Sequence, residues 1–435
     1  MAKYQAYAEY KDSGVEWLGE IPSHWKVVKL SYKLRLLSGD GITAFDIEDT
    51  GTYPVFGGNG LRGFTEKYNC DGEYALVGRQ GALCGNINVA RGKFFATEHA
   101  VVVYPYEKFN LTYLSEFLRF MDLGQYSVSA AQPGIAVDRI NALPIVTPTL
   151  DEQNSIGDFL DHETAKIDHL IEKQQQLIEL LKEKRQAVIS HAVTKGLDPN
   201  VPMKDSGVEW LGEVPEHWTI LKLSAIADIT RLAGYEYTEY WQSDDEGEII
   251  AIRGQNIRFN KLVNLDDAEK ITNKLSIRLK RSRLYKNDIA YPCVGTIGNA
   301  VLIHESDKYH INQNIAKLTP NEKIYPLYLT YFLNSSICLE SALFLNTSDA
   351  QPSILVGNLR KVKIAFPQLA EQIKIADSIS NQLFMLDNLI LKAELTISLM
   401  QERRTALISA AVTGKIDVRN WKAPRVAEAN TELSA

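Results

Sequence analysis

Cysteine is scarce in this sequence of 435 residues, and its four cysteines, Cys70, Cys84, Cys293 and Cys338, are widely scattered. No Cys-x-x-Cys pair occurs, which argues against a disulfide framework and against a zinc knuckle. Long apolar runs are also missing: no stretch of about 18 uncharged apolar residues predicts a transmembrane helix. The initial segment MAKYQAYAEYKDSG lacks the apolar core of a secretory signal. We therefore expect a cytoplasmic protein.

Motifs that carry catalysis are absent as well. The sequence has no Gly-x-x-x-x-Gly-Lys-[Ser/Thr] phosphate loop and no His-Glu-x-x-His metal motif. Phe56-Gly-Gly-Asn-Gly60 fits the glycine turn of S-adenosylmethionine-dependent methyltransferases, but no Asn-Pro-Pro-Tyr or Asp-Pro-Pro-Tyr accompanies it, so a hairpin turn is favoured. Cys84 has no histidine partner nearby in the sequence, which argues against a catalytic thiol. The pattern favours a recognition protein over an enzyme, with no metal or cofactor of its own.

The net charge is −7, from 47 basic and 54 acidic residues. This balance argues against a non-specific polyelectrolyte binder, although one local basic face is compatible with it. The clearest basic stretch lies at 270–286, where seven Lys and Arg residues occur without an acidic one. Such a cluster predicts phosphate contacts, and the alternative is a solvated helical face.

The chain contains a long internal repeat. Residues 12–30 and 205–223 are identical at 14 of 19 positions. A second match pairs 150–194 with 369–413, with 19 identities in 45 positions. Between these matched segments lie two divergent bodies. A repeat of about 200 residues indicates a duplicated domain, because solenoid repeats run to only about 20–50 residues.

The matched tails have the heptad periodicity of long helices. A proline precedes each tail (Pro148 and Pro367) and a glycine follows it (Gly196 and Gly414), which are helix start and stop signals. We expect the two tails to form an antiparallel intramolecular pair, and the alternative is a homodimeric coiled coil. The apolar seams comprise Ile156, Leu160, Ile167, Leu170, Leu177, Leu181 and Val188, and then Ile375, Ile379, Leu386, Leu389, Met400 and Leu407.

The divergent bodies alternate short apolar runs with Gly, Asn and Asp, which predicts short strands and tight turns. Each is expected to be mixed α/β, with mainly antiparallel strands and one short helix, at 111–121 and at 326–336. The predicted fold is therefore α+β, with two bodies at opposite ends of an antiparallel helix pair and pseudo-twofold internal duplication. The predicted boundaries are 1–25 (first head), 26–149 (first body), 150–195 (first helix), 196–218 (linker and second head), 219–367 (second body), 368–413 (second helix) and 414–435 (tail).

Three features together resemble the specificity subunits of type I restriction–modification systems. They are the segment Gly14–Trp25 with its copy at 207–218, the Glu152-Gln153 motif after Pro148 with its copy after Pro367, and the turn at 53–60. The resemblance covers roughly residues 12–415, and the duplicated layout is more specific than any single motif.

The resemblance implies that the two bodies are target recognition domains, each of which reads one half of a split DNA sequence. Because the bodies differ, the target should be asymmetric. The helices would act as a spacer and would dock two methyltransferase subunits, and two restriction subunits could join. S-adenosylmethionine, ATP and magnesium would belong to those partners. The alternatives are a coiled-coil scaffold that reads no DNA sequence and a methyltransferase that uses Phe56–Gly60.

Arg, Lys, Asn and Gln side chains can pair with base edges or with phosphates, so those in predicted loops are candidate DNA contacts, together with three residues of the basic stretch at 270–286. We expect under half of them to touch a base, since several can cap turns or contact phosphates. The candidates are Asn59, Arg62, Arg79, Gln80 and Gln132 in the first body, and Arg253, Gln255, Asn256, Arg258, Lys280, Arg281, Arg283, Gln313 and Gln351 in the second.

Two further expectations concern repeated or terminal aromatic segments. His24 and His217 precede Trp25 and Trp218 in the two copies, and we interpret these histidines as structural. Trp421 is expected to pack near the N-terminus, because a cyclic duplication brings the chain ends together.

Overall fold

The computed structural model describes residues 4–81, 83–127, 134–344 and 353–423. By its packing the chain divides into two units, one of residues 1–174 and 395–435 and the other of residues 175–394. Each long helix therefore contributes residues to both units. Over the described ranges, no helix has both the length and the apolar character needed to cross a membrane.

The first unit is built on a six-stranded sheet with the strand order β4-β9-β7-β8-β5-β6. Its neighbouring strands are antiparallel except for the parallel pair β5 and β8. This unit also contains two small antiparallel pairs, β1 with β2 and β3 with β10. The elements are β1 (Tyr10–Asp12), β2 (Glu20–Pro22), β3 (Lys26–Lys29), β4 (Leu34–Ser38), β5 (Tyr53–Gly57), β6 (Gly60–Thr65), β7 (Cys70–Gly78), β8 (Ile87–Ala96), β9 (Ala100–Pro105), α1 (Leu111–Phe120), α2 (Val137–Asn141), β10 (Pro144–Thr147) and α3 (Leu150–Lys195).

The core of the first unit joins the sheet to helix α1 and to both long helices. Helix α1 begins because the side chain of Asn110 accepts a hydrogen bond from the backbone N–H of Tyr113, and its apolar face buries Leu114 and Phe117. Phe159 of α3 packs into the same cluster. Full burial of one such large apolar side chain stabilises the fold by about 1.5–3 kcal/mol.

The second unit contains two larger sheets. One is antiparallel with the order β14-β22-β19-β20, and the other has the order β18-β15-β21, in which β15 and β21 run parallel. The elements are β11 (Met203–Asp205), β12 (Glu213–Pro215), β13 (Thr219–Lys222), β14 (Ala227–Arg231), α4 (Gly234–Tyr240), β15 (Ile249–Ile252), β16 (Ile257–Arg258), β17 (Lys261–Leu262), β18 (Lys270–Ile271), α5 (Asn273–Arg278), β19 (Ile289–Pro292), β20 (Val301–Leu302), β21 (Tyr309–Ile311), β22 (Ile315–Pro320), α6 (Pro326–Leu333), α7 (Ser336–Phe344), α8 (Val356–Leu359), β23 (Lys363–Phe366) and α9 (Leu369–Val412).

Helices α3 and α9 coincide with the two predicted tails. In the first unit Arg404 of α9 forms an ion pair with Asp168 of α3, with Nε and Oδ1 2.9 Å apart. In the second unit Arg185 of α3 forms an ion pair with Asp387 of α9, with Nη1 and Oδ1 3.3 Å apart. Within each unit, the start of one long helix therefore packs against the end of the other.

The mixed α/β character of the chain is confirmed, but the expectation of one short helix in each body is wrong. The first body also contains α2, and the second contains α4, α5, α7 and α8 besides α6. The ten-residue strand β8 was not predicted either. Its sequence INVARGKFFA is interrupted by Arg91, Gly92 and Lys93, so it does not read as one apolar run. The structure accommodates these residues because that part of the strand is exposed.

A glutamate joins each long helix to the head segment that precedes the body. Glu152 lies in the first turn of α3 and forms a capping box with Thr149: its backbone N–H donates to the Thr149 hydroxyl, and its carboxylate accepts from the Thr149 N–H. Its Oε1 lies 2.8 Å from Nε2 of His24 and accepts a hydrogen bond of 3.3 Å from Nε1 of Trp25. Trp25 itself is fully buried.

The same contacts recur in the second unit. Glu371 lies 3.0 Å from Nε2 of His217 and accepts a 3.1 Å hydrogen bond from Nε1 of Trp218. The repeated histidines therefore make structural contacts. The repeated glutamine has a matching role: Gln153 accepts from the Asn110 N–H and Gln372 from the Tyr325 N–H, which ties each long helix to the start of a short one.

The chain ends of the first unit also meet. The backbone N–H of Asp417 donates to the carbonyl oxygen of Gln5 at 2.8 Å. The hydroxyl of Tyr10 donates to the carbonyl oxygen of Gly414. The indole of Trp421 packs edge-on against Phe159, which also contacts Tyr4. The expected packing of Trp421 near the N-terminus is confirmed, whereas residues 424–435 of the predicted tail lie outside the described residues.

We predict that Glu152→Gln lowers the free energy of unfolding by about 1–3 kcal/mol, because the new amide N–H₂ faces donors that the carboxylate had satisfied. The matched variant Glu371→Gln should cost less, since that side chain is 33% exposed against 7% for Glu152. Urea unfolding of both variants near neutral pH measures the difference. Equal losses would contradict this account of burial.

The pH dependence of this stability has a defined sign. Burial alone raises the pKa of Glu152, but hydrogen bonds from His24, Trp25 and Thr149 outweigh it and hold the pKa below its ordinary value of 4.5. The folded state therefore gains stability from Glu152 above the unfolded pKa and loses it as the pH falls through the folded pKa. The penalty of Glu152→Gln should shrink as the solution is acidified.

Candidate nucleic-acid interface

The β5–β6 hairpin of the first unit turns through Gly58 and Asn59 at one end of the sheet. A Cβ atom added at Gly78, the last residue of β7, would lie 2.1 Å from the carbonyl oxygen of Gly58. The hairpin tip therefore lies directly against the end of β7, and Gly78 permits this approach. Phe56–Gly60 is part of an antiparallel hairpin and not a turn from a strand into a helix, so the geometry does not support a methyltransferase glycine turn.

Four predicted contact residues are exposed around this hairpin tip. Asn59 is at the tip, and Arg62 follows on β6 beside Gly57. Arg79 and Gln80 come directly after β7, where Nη1 of Arg79 donates to the Ser38 hydroxyl at 3.3 Å. The structure thus brings Asn59, Arg62, Arg79 and Gln80 to one edge of the sheet. The fifth candidate, Gln132, lies outside the described residues.

We predict that Gly78→Ala displaces the hairpin tip from the end of β7. The expected destabilisation is about 1–3 kcal/mol, typical of overpacking, and Asn59 at the hairpin tip should move away from the end of β7. Gly41→Ala is the matched control, because no atom lies within 4 Å of a Cβ at that position. Thermal unfolding of the two variants measures the effect, and an unchanged melting temperature for Gly78→Ala would contradict the close approach.

In the second unit, three candidates line one cavity of about 320 Å³. Arg253 and Gln255 follow strand β15, and Gln313 follows strand β21. Because β15 and β21 are parallel, their carboxyl ends lie at the same edge of the sheet. The cavity is lined by Tyr237, Arg253, Gly254, Gln255, Val294, Gly295, Thr296, Asn312, Gln313 and Asn314.

Gln255 also borders a larger basic cavity of about 740 Å³. Arg258 lines it together with Lys182, Arg185 and Lys261. The guanidinium of Arg185 lies 3.8 Å from the ring centroid of Phe259, which secures the β16–β17 hairpin to helix α3 within this unit. Asp387 pairs with both Arg185 and Lys261, so part of the positive charge of this cavity is already neutralised. The remaining positive charge can attract a phosphate backbone.

Two predicted contacts in this unit need correction. Asn256 is only 1% exposed, and its amide donates to the carbonyl oxygens of Val263 and Asn264. Arg283 is 7% exposed, and its Nε lies 2.8 Å from Oδ1 of Asp307. Both side chains already have intramolecular partners, so we remove them from the candidate DNA contacts.

The stretch at 270–286 does not form one basic face. It is divided between β18, helix α5 and a 3₁₀ turn at Lys280–Ser282. Lys280 and Arg281 are exposed there, and Nη2 of Arg281 donates to the carbonyl oxygen of Arg231 at 3.3 Å. The last candidate, Gln351, lies outside the described residues.

Residue types in the sequence did not indicate the partner that holds Arg253. Oε2 of Glu269 accepts from Nη2 of Arg253 at 2.8 Å and from its Nε at 3.1 Å. Glu269 immediately precedes β18, which pairs with β15. Only the pairing of β18 with β15 could have indicated that Glu269 is the partner of Arg253. The sequence did not predict this pairing, because it did not predict the short strand Lys270–Ile271.

The cysteine thiols are poorly suited to nucleophilic chemistry. Burial raises the pKa of Cys293 to about 11 and that of Cys338 to about 12, so neither thiol ionises near neutral pH. Burial also raises the pKa of Cys84, against the lowering effect of hydrogen bonds from Ile135 and Ser127. Among the described residues, no group of three His, Cys, Asp or Glu side chains is arranged to hold a metal ion.

Comparison with known proteins gives one consistent family. Residues 22–180 and 215–395 match the family described as "Type I restriction modification DNA specificity domain". The Escherichia coli type I restriction enzyme EcoprrI specificity subunit is 42% identical over 132 residues, which are 29% of this chain and 33% of that protein. The EcoBI specificity subunit of the same organism is 25% identical over 281 residues, covering 63% and 59%. The chain thus spans about one third of the length of the EcoprrI subunit and somewhat more than half of the length of the EcoBI subunit.

A third relative matches along nearly its whole length. The MjaVIII specificity subunit of Methanocaldococcus jannaschii is 22% identical over 417 residues, which cover 92% of this chain and 95% of that protein. Among solved structures, the HsdS subunit from Thermoanaerobacter tengcongensis has a TM-score of 0.51 at 12% identity, over 91% and 98% of the two chains. A chain from a structure of complex assembly in the type I R-M system has a TM-score of 0.62 at 12% identity, over 91% and 99%. At these identities the structural likeness shows a shared fold.

Proposed function

Because the chain belongs to the family of type I restriction–modification DNA specificity domains, we propose that it selects the DNA sequence on which a type I restriction–modification complex acts. The observation that carries the proposal is the placement of exposed Arg, Asn and Gln side chains at a strand end in each unit. Arg79 and Gln80 represent this group in the first unit, and Arg253 and Gln255 in the second. These are the residue types that pair with guanine and adenine edges.

The two units would read different half-sites. The exposed groups of the first unit surround a hairpin tip, whereas those of the second line a cavity at the ends of two parallel strands. Different side chains in different geometry favour different bases. The proposed target is therefore bipartite and asymmetric.

The long helices would set the distance between the half-sites. Helix α3 has 46 residues, which corresponds to about 69 Å at 1.5 Å per residue. The antiparallel contacts within each unit, such as Arg404 with Asp168, support an intramolecular helix pair as the spacer. Two readers joined by a rigid spacer bind with a high effective concentration when the spacing of the DNA sites matches.

In this proposal the chain is a non-catalytic subunit. Two methyltransferase subunits would dock on it, and two restriction subunits would join through them. S-adenosylmethionine, ATP and Mg²⁺ would be bound by those partners. Relatives that are themselves named specificity subunits support this division of labour.

Selection from a pool of randomised duplex DNA tests the proposal directly. The purified full chain at physiological salt should enrich a motif of two short parts separated by a fixed gap. Sequence-independent binding that disappears near physiological salt would instead favour a scaffold that reads no sequence.

Insertion of one helical turn, about four residues, within 170–180 should lengthen the gap between the half-sites and leave the half-sites unchanged. Selection from the same pool measures both features at once. A change in the sequence of either half-site would contradict the role of the helices as a spacer. An enriched motif whose gap is the same as that of the unmodified chain would also contradict the role of the helices as a spacer.

We predict that Arg253→Ala relaxes discrimination at one base pair by about 1–3 kcal/mol. Lys280→Ala is the matched comparison, because an exposed ammonium is suited to a phosphate contact: this variant should weaken binding to all sequences and reduce the salt slope by about 1. Uniformly weaker binding by Arg253→Ala would show that Arg253 contacts phosphate instead of a base.

A further inference from the structure

Three strands of the second unit present polar side chains at one sheet edge. Arg253 follows β15, Asn312 follows β21, and Glu269 precedes β18. The pairing order β18-β15-β21 brings them together, because β18 runs antiparallel to β15 while β21 runs parallel to it. With Trp241, these residues form what we call the Glu269 cluster.

The carboxylate of Glu269 is held from three sides. Its Oε2 accepts from Arg253 and from Nδ2 of Asn312, the latter at 3.0 Å. Its Oε1 accepts from Nε1 of Trp241 at 2.9 Å. The Glu269 side chain is only 11% exposed and Asn312 is 95% buried, so the acceptor is fixed in place. All these partners are donors, which is the pattern that an ionised carboxylate requires.

The guanidinium of Arg253 is fixed by this carboxylate and still half exposed, at 50%. Glu269 engages Nε and Nη2, and the planar guanidinium directs its other N–H groups away from that carboxylate. Arg253 lines the same cavity as Gln255, Gln313 and Asn314, whose amides can also pair with base edges. Donors in fixed positions at a cavity lined by amides suit the recognition of one base pair.

The ion pair with Glu269 also makes Arg253 less suited to a phosphate contact than an unpaired cation. Glu269 neutralises its charge locally, so Arg253 contributes little to the release of counterions from DNA. The chemistry of the paired guanidinium therefore favours the O6 and N7 acceptors of a guanine over a phosphate.

We propose that Glu269 is a positioning residue for DNA specificity, which orients Arg253 so that its guanidinium reads a guanine in the half-site of the second unit. This inference rests on the proposed function of the chain in DNA recognition. Glu269 itself touches no base and acts through Arg253. Its removal should therefore change the base preference at a single position.

The test is selection from the randomised duplex pool with the full-length Glu269→Gln variant. The glutamine oxygen can still accept from Trp241, but its N–H₂ group then faces the donors of Arg253 and Asn312 and turns Arg253 away. Preference for guanine at one position should fall by roughly 5- to 150-fold, and the other positions of the motif should persist. Arg253→Ala should affect the same position.

Glu305→Gln is the matched control. Glu305 also forms an ion pair in this unit, with Lys308, but its side chain is 57% exposed. This variant removes the same charge and should leave the enriched motif unchanged. Loss of the same guanine preference in the control would overturn the inference, since a general charge effect would then explain both variants.

A second variant covers the case in which Glu269→Gln does not fold. Glu269→Asp keeps an ionised acceptor that is one methylene shorter, so it should retain more guanine preference than Glu269→Gln and less than the unmodified chain. Unchanged preference at every position, in whichever variant gives a cooperative thermal transition, overturns the inference. Failure of the unmodified chain to enrich any motif would instead refute the proposed function itself, so the two failures are distinguishable.

Discussion

A glutamate in the first turn of each long helix joins that helix to its head segment, and the surrounding structure depends on this contact. Glu152 receives hydrogen bonds from the head segment and from the helix cap, and Glu371 makes the equivalent contacts to His217 and Trp218. A carboxylate that is removed from water is costly unless its oxygens are paired, and this applies most strongly to Glu152, which requires the histidine, the tryptophan and the helix start to remain together. The neighbouring glutamine adds a tie to the following short helix. The heads and helix starts are therefore held in a constant arrangement, and this explains why these segments are the ones repeated in the sequence.

Variation is confined to the bodies that this arrangement holds. In the first, an exposed hairpin tip packs on the end of β7 through Gly78. In the second, the parallel strands β15 and β21 end beside an amide-lined cavity. Strand ends on a packed core keep polar side chains in fixed positions while the loop sequences differ, which the proposed recognition of different DNA half-sites would require. The Glu269 cluster applies the same physical rule on a smaller scale, because a nearly buried carboxylate fixes the orientation of an exposed guanidinium.

Local patterns in the sequence predicted the two long helices and the repeats, while long-range pairing determined much of the rest. Helix α3 follows from heptad spacing, and the structural role of His24 follows from its repetition beside Trp25. Residue type alone did not distinguish Asn256 and Arg283, which are buried among intramolecular partners, from Arg253, which is exposed. Burial depends on contacts between segments distant in sequence. The sequence did not indicate Glu269 for the same reason: its hydrogen bond with Arg253 forms only because β18 pairs with β15.

Genome-wide base methylation, measured with and without this chain in cells that express the proposed partner methyltransferase, tests the proposed role in sequence selection. Single-molecule sequencing reads every modified base. If the chain supplies specificity, one asymmetric two-part motif with a fixed gap should be methylated only when the chain is present. Methylation of the same motif in the absence of the chain would contradict the account, because sequence selection would then belong to another protein.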